Sequence, residues 1–118
     1  MIFAAGFGTR LGALGESTPK ALIEIGGRTM LEHAVRALRS PGARRIVVNV
    51  HHHADAIERF VAGHDFGVEV LVSREDDRPL ETGGGLLHAR GLFHEGETIL
   101  MHNVDVLGSF HLRPLVAQ

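Results

Sequence analysis

The sequence predicts an α/β fold with a mostly parallel sheet. Apolar runs of strand length alternate along the chain with segments whose apolar residues recur at helical spacing. The run Ile46–Val50 is rich in β-branched residues and almost uninterrupted, which is typical of a strand buried on both faces. Together these observations predict successive βαβ units.

The first half of the chain begins with a predicted strand from Met1 to Ala4, which leads into a glycine-containing loop. A short strand over Ala21–Ile25 follows and ends at Gly26-Gly27. Thr29 is a suitable N-cap for the next helix, and Glu32, three residues later, completes a capping box. The apolar face of that helix consists of Met30, Leu31, Ala34, Val35 and Leu38.

The second half of the chain alternates in the same way after the strand Ile46–Val50. The predicted elements are a helix over Ala54–Ala62, a strand over Val68–Val72, a charged surface loop over Ser73–Pro79, a short helix from the Gly83-Gly84-Gly85 run through Ala89, a fourth long strand over Thr98–Met101, and the start of a helix at His111.

Polar residues follow the predicted strands at one edge of the sheet. In open parallel sheets, ligands bind beyond the carboxyl ends of the strands. Three segments leave strands at that edge: the loop after Ala4, the segment Asn49-Val50-His51 and the segment Asn103–Asp105. We therefore expect these three segments to converge.

The loop after the first strand is suited to bind an anion. Gly6 and Gly8 allow backbone N–H groups to approach a ligand closely, and the same stretch supplies the cations Arg10 and Lys20. A dinucleotide fingerprint would need a third glycine where Leu11 stands, and the Gly-Lys-Ser/Thr signature of a Walker-type loop does not occur in the sequence. Backbone donors and two cations suit a polyphosphate, so the loop predicts a nucleotide site.

Composition limits the remaining classes of function. The 118 residues suffice for one domain, and a net charge of −2 argues against non-specific binding to nucleic acid. The chain has no cysteine, which excludes disulfides and thiolate catalysis. A signal peptide or an apolar run of membrane-spanning length is not recognisable, so we expect no membrane association and a cytoplasmic protein.

Four sequence blocks, in order, carry a family resemblance. They are Ala5-Gly6-Phe7-Gly8-Thr9-Arg10-Leu11; Pro19-Lys20-Ala21-Leu22-Ile23 with Gly26 and Met30-Leu31-Glu32-His33; Leu80-Glu81-Thr82-Gly83-Gly84-Gly85; and His102-Asn103-Val104-Asp105. With these blocks the chain resembles the sugar-1-phosphate nucleotidylyltransferases. The last two blocks most resemble the small branch of mannose-1-phosphate guanylyltransferases and N-acetylmuramate-1-phosphate uridylyltransferases.

The resemblance implies a Rossmann-like three-layer α/β/α architecture, the nucleotide-diphospho-sugar transferase fold. Family members have roughly twice this length in one α/β domain. Residues 1–118 are therefore expected to be the N-terminal, nucleotide-binding part of a single nucleotidyltransferase domain, truncated before its later half.

The reaction implied by the resemblance joins an NTP and a sugar-1-phosphate into an NDP-sugar and pyrophosphate. Its nucleophile is a phosphate oxygen that is already ionised near neutral pH, so catalysis rests on positioning and charge stabilisation. The implied catalytic residues are Arg10 and Lys20, the implied nucleotide-binding residues are Ala5, Gly6, Gly8, Thr9, Asn49, Thr82 and Gly83, and the implied Mg²⁺ ligand is Asp105. Glu81 stands where many members carry glycine.

Two other functions stay open at this point. A cytidylyltransferase acting on a non-sugar phosphate acceptor, such as phosphocholine or molybdopterin, would use the same chemistry. A non-catalytic nucleotide-binding half-domain would use the same loop without transferring anything. Because the later strands of the family are missing from the sequence, we also expect an open sheet edge and association of the isolated chain, including a homo-oligomer.

Overall fold

The computed structural model of the protein describes residues 1–6, 12–13, 17–109 and 111–117. Its main sheet consists of β1 (Ile2–Phe3), β4 (Arg45–Val50), β5 (Glu69–Arg74) and β6 (His102–Asn103). The strand order is β5-β4-β1-β6, and all three neighbouring pairs are parallel. The prediction of a mostly parallel sheet is therefore confirmed.

A small hairpin precedes the first long helix. It pairs β2 (Glu24–Ile25) with β3 (Arg28–Thr29) in an antiparallel two-stranded sheet of its own. The turn between them is Gly26-Gly27, where both residues have positive φ, a backbone that glycine adopts without a Cβ clash.

The predicted strand over Ala21–Ile25 is wrong in its first half. Lys20–Leu22 form a 3₁₀ helix instead, which begins where the Leu22 N–H donates to the Pro19 carbonyl at 2.9 Å. This turn buries Ala21 in the core. Burying that small side chain favours the turn over an extended continuation of the strand.

The helix α1 spans Met30–Arg39 and has the predicted capping box. The Glu32 N–H donates to Thr29 Oγ1 at 3.1 Å, and the Thr29 N–H donates to Glu32 Oε2 at 2.6 Å. Two N–H groups that would otherwise lack a helical partner are thereby satisfied. The buried face of α1 is the predicted one: Met30, Leu31, Ala34, Val35 and Leu38.

Helices cover both faces of the sheet. On one face α1 and α2 (Ala54–Ala62) pack against alternate residues of β4: Ile46, Val48 and Val50. On the other face α3 (Glu81–His88) and a 3₁₀ turn (Arg90–Leu92) form a second cluster with Val47. This alternation gives the expected three layers, α/β/α.

The described part of the chain ends with the four-residue helix α4 (Arg113–Val116). Across the described residues, no helix is both long enough and apolar enough to traverse a lipid bilayer.

Two further predictions need correction, the end of β5 and the fourth long strand. β5 continues through Ser73 and Arg74, which the sequence assigned to a loop. The expected fourth long strand over Thr98–Met101 is absent, and β6 is only His102–Asn103. β1 begins at Ile2, which pairs with His102, so the register leaves residues 98–101 outside the pairing with β1.

Candidate active site

A cleft of about 380 Å³ opens at the carboxyl end of the sheet. It is lined by Phe3, Ala4, Ala5, Gly6, Lys20, Asn49, Pro79, Glu81, Thr82, Asn103, Val104 and Asp105. The three segments expected to converge at this edge do so, and six of the proposed site residues lie among the lining residues: Ala5, Gly6, Lys20, Asn49, Thr82 and Asp105. The physical reason is the parallel sheet, which brings the loops after its strands to one edge.

The cleft contains an ion pair between residues 85 positions apart in sequence. Lys20 Nζ lies 3.2 Å from Asp105 Oδ2, and the two side chains are 33% and 48% exposed. Lys20 is held by the 3₁₀ turn after Pro19, and Asp105 by a turn in which the Val106 N–H donates to the Asn103 carbonyl. An ammonium and a carboxylate that are both accessible can bind phosphate and a divalent cation, respectively.

One wall of the cleft is the segment that directly follows β1, residues Ala4–Gly6, which we call the β1 wall. Ala4 and Ala5 are buried, whereas Gly6 is exposed. The Ala4 N–H donates to the Asn49 side-chain oxygen Oδ1 at 2.7 Å, so the chain enters the loop from a fixed point. The roles assigned to Gly8, Thr9 and Arg10 fall on residues outside those that the structure describes.

A second wall is the start of α3, residues Glu81–Thr82, which we call the α3 wall. Glu81 has a φ of 60°, the left-handed backbone that glycine adopts readily and other residues adopt at a cost. A glycine at this position would adopt the same backbone without a Cβ clash. Gly83, the residue after Thr82 in the same turn, is exposed and falls outside the set of described residues that line the cleft.

Asn49 borders the cleft, but its side chain has structural partners. The residue is 2% exposed, and its amide nitrogen Nδ2 donates to Glu75 Oε2 at 2.9 Å while Oδ1 accepts from Ala4. Direct contact with a nucleoside would require these hydrogen bonds to change. In this structure Asn49 supports the β1 wall from below.

Glu75 is the buried residue that the sequence analysis missed, since it was assigned to a charged surface loop. It is only 2% exposed and directly follows β5. Its position after a strand, at the same edge as Asp105 after β6, was the available signal. Its charged neighbours, Arg74 and Asp76, made the segment resemble a surface loop, so the position of Glu75 after a strand was not recognised.

The donor set of the cleft is compatible with Mg²⁺. Among the described residues there is no group of three or more histidine, cysteine, aspartate or glutamate side chains that could hold a metal by themselves. Mg²⁺ does not need such a group, since it is commonly held by one or two carboxylates together with substrate phosphates and water. The half-exposed carboxylate of Asp105 fits that manner of binding.

Comparison with known proteins places the chain in a family. The family model of the MobA-like NTP transferase domain matches residues 1–117. The N-acetylmuramate alpha-1-phosphate uridylyltransferase of Caulobacter vibrioides is 35% identical over 114 residues, which are 94% of this chain and 47% of that protein. A mannose-1-phosphate guanyltransferase of Neurospora crassa is 32% identical over 120 residues, covering 99% of this chain and 33% of that protein.

Solved structures agree with the sequence comparison. The crystal structure of HddC from Yersinia pseudotuberculosis complexed with GMP-PN matches with a TM-score of 0.75 and 30% identity, over 88% of this chain and 46% of that one. The chain thus spans between a third and a half of the length of the relatives it matches. Fold, sequence blocks and family model agree, and the chain belongs to the family of MobA-like NTP transferase domains.

Proposed function

We propose that the protein containing these residues is a sugar-1-phosphate nucleotidylyltransferase, which joins an NTP and a sugar-1-phosphate into an NDP-sugar and pyrophosphate. The observation that supports this most directly is the Lys20–Asp105 pair at 3.2 Å in a cleft that also presents the β1 wall. A cation, a carboxylate and backbone at a strand end are what a triphosphate and its metal require. The functions printed for the relatives, a uridylyltransferase and a guanyltransferase, support the same reaction class.

In this proposal the protein's work is positioning and charge stabilisation. An oxygen of the sugar phosphate attacks the α-phosphorus of the NTP, the bond from that phosphorus to the bridging oxygen breaks, and pyrophosphate leaves with the bonding electrons. Lys20 stabilises the charge on the α-phosphate or on the incoming phosphate, and Arg10 holds the outgoing phosphates. No general base is required, since the nucleophile is already an anion.

Asp105 would hold Mg²⁺ together with the phosphates of the NTP. When bound, the ion neutralises phosphate charge and orients the oxygens. Before substrate binds, Lys20 and Asp105 neutralise each other across 3.2 Å. When substrate binds, a phosphate becomes the partner of the Lys20 ammonium, and Mg²⁺ would become the partner of the Asp105 carboxylate. Both charges are therefore paired in the free and in the bound protein.

The proposal is tested by NTP-dependent release of pyrophosphate from the intact protein. Each of the four NTPs is supplied with Mg²⁺ and with mannose-1-phosphate, N-acetylmuramate-1-phosphate or phosphocholine. We expect release only when an NTP and a sugar phosphate are both present. Release that occurs with an NTP and phosphocholine, and with neither of the sugar phosphates, would favour the cytidylyltransferase alternative. Binding of NTP without any release of pyrophosphate would favour the half-domain alternative.

The assignment of Asp105 to the metal has its own test. NTP should raise the melting temperature more in the presence of Mg²⁺ than in its absence, because a ligand stabilises by mass action. In Asp105→Asn the side chain keeps its shape, and we expect the Mg²⁺-dependent part of the shift to disappear. An undiminished Mg²⁺ effect in that variant would remove Asp105 from the metal site.

Association of the chain and a cytoplasmic location are also part of the proposal. Large apolar side chains are exposed beside β6 and on α4: Ile99, Met101, Val106, Leu107, Leu115 and Val116. Exposed large apolar side chains favour contact between copies. Sedimentation velocity should therefore show concentration-dependent association of the 118-residue chain, whereas a monodisperse monomer would contradict it.

The absence of cysteine supports the cytoplasmic location.

A further inference from the structure

Glu75 is a buried carboxylate beneath the cleft. Its oxygen Oε2 accepts from Asn49 Nδ2 at 2.9 Å, and its oxygen Oε1 accepts from the Leu80 N–H at 2.8 Å. Its own N–H donates to the Val50 carbonyl at 2.8 Å, which extends the β4–β5 pairing by one residue. A carboxylate that is 2% exposed is costly unless it is hydrogen-bonded, so these contacts define its orientation.

These hydrogen bonds connect the two walls of the cleft. Asn49 accepts from the Ala4 N–H at 2.7 Å, so a continuous path runs from Ala4 through Asn49 and Glu75 to the N–H of Leu80. Ala4 belongs to the β1 wall, and Leu80 directly precedes the α3 wall. We call this path the wall clamp.

Gly85 provides an independent indication that the wall clamp is closely packed. A Cβ atom built at Gly85 would lie 2.8 Å from Asn49 Nδ2 and 2.9 Å from Glu75 Oε2, closer than real Cβ contacts. The helix α3 therefore lies directly on the Asn49–Glu75 hydrogen bond. No residue with a side chain fits at position 85 unless this bond moves.

We propose that Glu75 is a positioning residue of the nucleotide cleft, which fixes the β1 wall relative to the α3 wall through the wall clamp. The inference rests on the proposed function for its ligand, an NTP. Glu75 does not touch the reacting atoms in this role. Its loss is expected to weaken NTP binding by letting the two walls move apart, because a bound ligand must then order them.

A pair of substitutions that exchange the two functional groups tests the hydrogen bonds themselves. In Glu75→Gln the new amide must direct its NH₂ group at a donor, either Asn49 Nδ2 or the Leu80 N–H. In Asn49→Asp two carboxylates face each other. In the double variant Asn49→Asp/Glu75→Gln, the carboxylate at position 49 accepts from Ala4 and from the amide at position 75, and the oxygen of that amide accepts from Leu80. Every hydrogen bond of the wall clamp is then retained.

The dissociation constants of the four NTPs with Mg²⁺ are measured by calorimetry on the full chain, at a temperature where melting curves show each variant folded. We expect each single substitution to raise Kd about tenfold, which corresponds to about 1.4 kcal/mol. The double variant should return to within about threefold of the wild type. Amide hydrogen exchange at Ala4 and Leu80 should accelerate in the single variants and slow again in the double variant.

A matched control separates positioning from general stability. Val47 is fully buried on the same face of the sheet as Asn49, in the cluster with Met1 and Ala89. Val47→Ala should lower the melting temperature without changing the Kd of NTP. Gly85→Ala should lower the melting temperature and raise Kd, whereas Gly83→Ala, where a Cβ meets nothing within 4 Å, should raise the melting temperature because alanine favours helix.

The outcomes distinguish this inference from the proposed function. Wild-type Kd in Glu75→Gln, or a double variant that regains neither Kd nor slow exchange, overturns the positioning role. A double variant that fails to fold also overturns it, since all its hydrogen bonds can form. The wild type could also bind none of the NTPs while amide exchange at Ala4 and Leu80 is faster in the single variants and slower again in the double variant. In that case the proposed function fails, and Glu75 loses its role toward NTP.

Discussion

Two cavities at opposite ends of the same sheet differ in size and in chemistry. The cleft at the carboxyl end has a volume of about 380 Å³, and the cavity at the amino end, bordered by Met1, Ile46 and Leu100, has about 700 Å³. The larger one is mainly a gap between apolar side chains. Its arginines have partners near the rim: Arg44 pairs with Glu97 at 2.9 Å, and Arg45 with Glu69 at 2.7 Å.

The smaller cleft brings Lys20, Asp105 and backbone groups together because of the direction of the strands. In a parallel sheet the loops that follow strands all leave at the carboxyl end, and there Gly6, Thr82 and the Lys20–Asp105 pair meet. At the amino end the sheet presents strand beginnings and the end of α1, which supply packing surface. The volume of a cavity therefore says less about its function than the charges and backbone groups that it collects.

The largest expected effect comes from removing Lys20, the cation that the described residues contribute to the carboxyl-end cleft. Lys20→Ala should lower turnover by about 10²–10³-fold, since it removes one stabilising group of the transition state. Stability should change by less than about 1 kcal/mol, because the ion pair to Asp105 is exposed. Pyrophosphate release and thermal melting measure the two effects.

The matched control for Lys20→Ala is Arg44→Ala, which removes an ion pair at the amino-end cavity. Turnover and stability should both stay at wild-type values in this variant. Unchanged turnover in Lys20→Ala would take Lys20 out of the mechanism and break the distinction between the two ends.

The next largest effect is expected at the amino-end cavity, where a substitution should lower stability and leave NTP binding unchanged. Leu38 is 1% exposed and lines that cavity from α1. Leu38→Ala should lower the free energy of unfolding by about 2–5 kcal/mol, because it removes buried methyl groups and enlarges a void. Denaturant titration measures the loss, and NTP affinity below the melting temperature should be unchanged. A tenfold loss of affinity there would mean that the two ends are coupled.

A smaller effect is expected from the strained residue of the α3 wall. Glu81→Gly should raise the free energy of unfolding by about 1 kcal/mol, since glycine adopts a φ of 60° without a Cβ clash. Chemical denaturation measures the gain. Glu81→Ala is the control, because alanine keeps the Cβ and loses the carboxylate. An equal gain in the alanine variant would assign the effect to charge instead of backbone strain.

The smallest effect concerns β6, which runs from the amino-end cavity towards Asp105. His102 is buried in β6, and burial lowers its pKa from the ordinary value of 6.5. Below that pH the unfolded chain binds a proton that the folded chain does not, so acid lowers the free energy of unfolding. The contribution is complete above pH 6.5 and is lost as the pH falls towards the lowered pKa.

The pH dependence is measured by denaturant titration of the wild type and of His102→Gln between about pH 8 and pH 5. The wild type should lose more stability on acidification than the variant. Parallel curves for the two proteins would show that His102 does not contribute, and that the remaining titratable groups produce the whole acid response.

Elements defined by local interactions were predictable. The capping box of Thr29 and Glu32 and the apolar face of α1 require only neighbours in sequence, and both have the predicted form. The strand Ile46–Val50 is recognisable because both of its faces are apolar. The edge segment Thr98–Met101 was predicted as a strand from its apolar residues, but a strand also needs a partner, which β1 does not supply there.

The candidate site was predictable as a set of segments and only partly as a set of contacts. The rule that ligands bind at carboxyl ends of parallel strands indicated Gly6 and Asp105, and both line the cleft. The same rule could have indicated Glu75 after β5. Its surroundings are charged, and nothing in a charged run tells which member turns inward.

By itself the sequence determined the α/β class, the main helices and central strand, and the segments that meet at the cleft, because these depend on periodicity, capping and glycine placement over a few neighbouring residues. Only the tertiary structure decided that Lys20 meets Asp105 across 85 positions and that Asn49 joins Glu75 beneath the cleft. Contacts between distant residues follow from how strands align in the sheet, and hydrogen bonding there selects which polar side chains are buried.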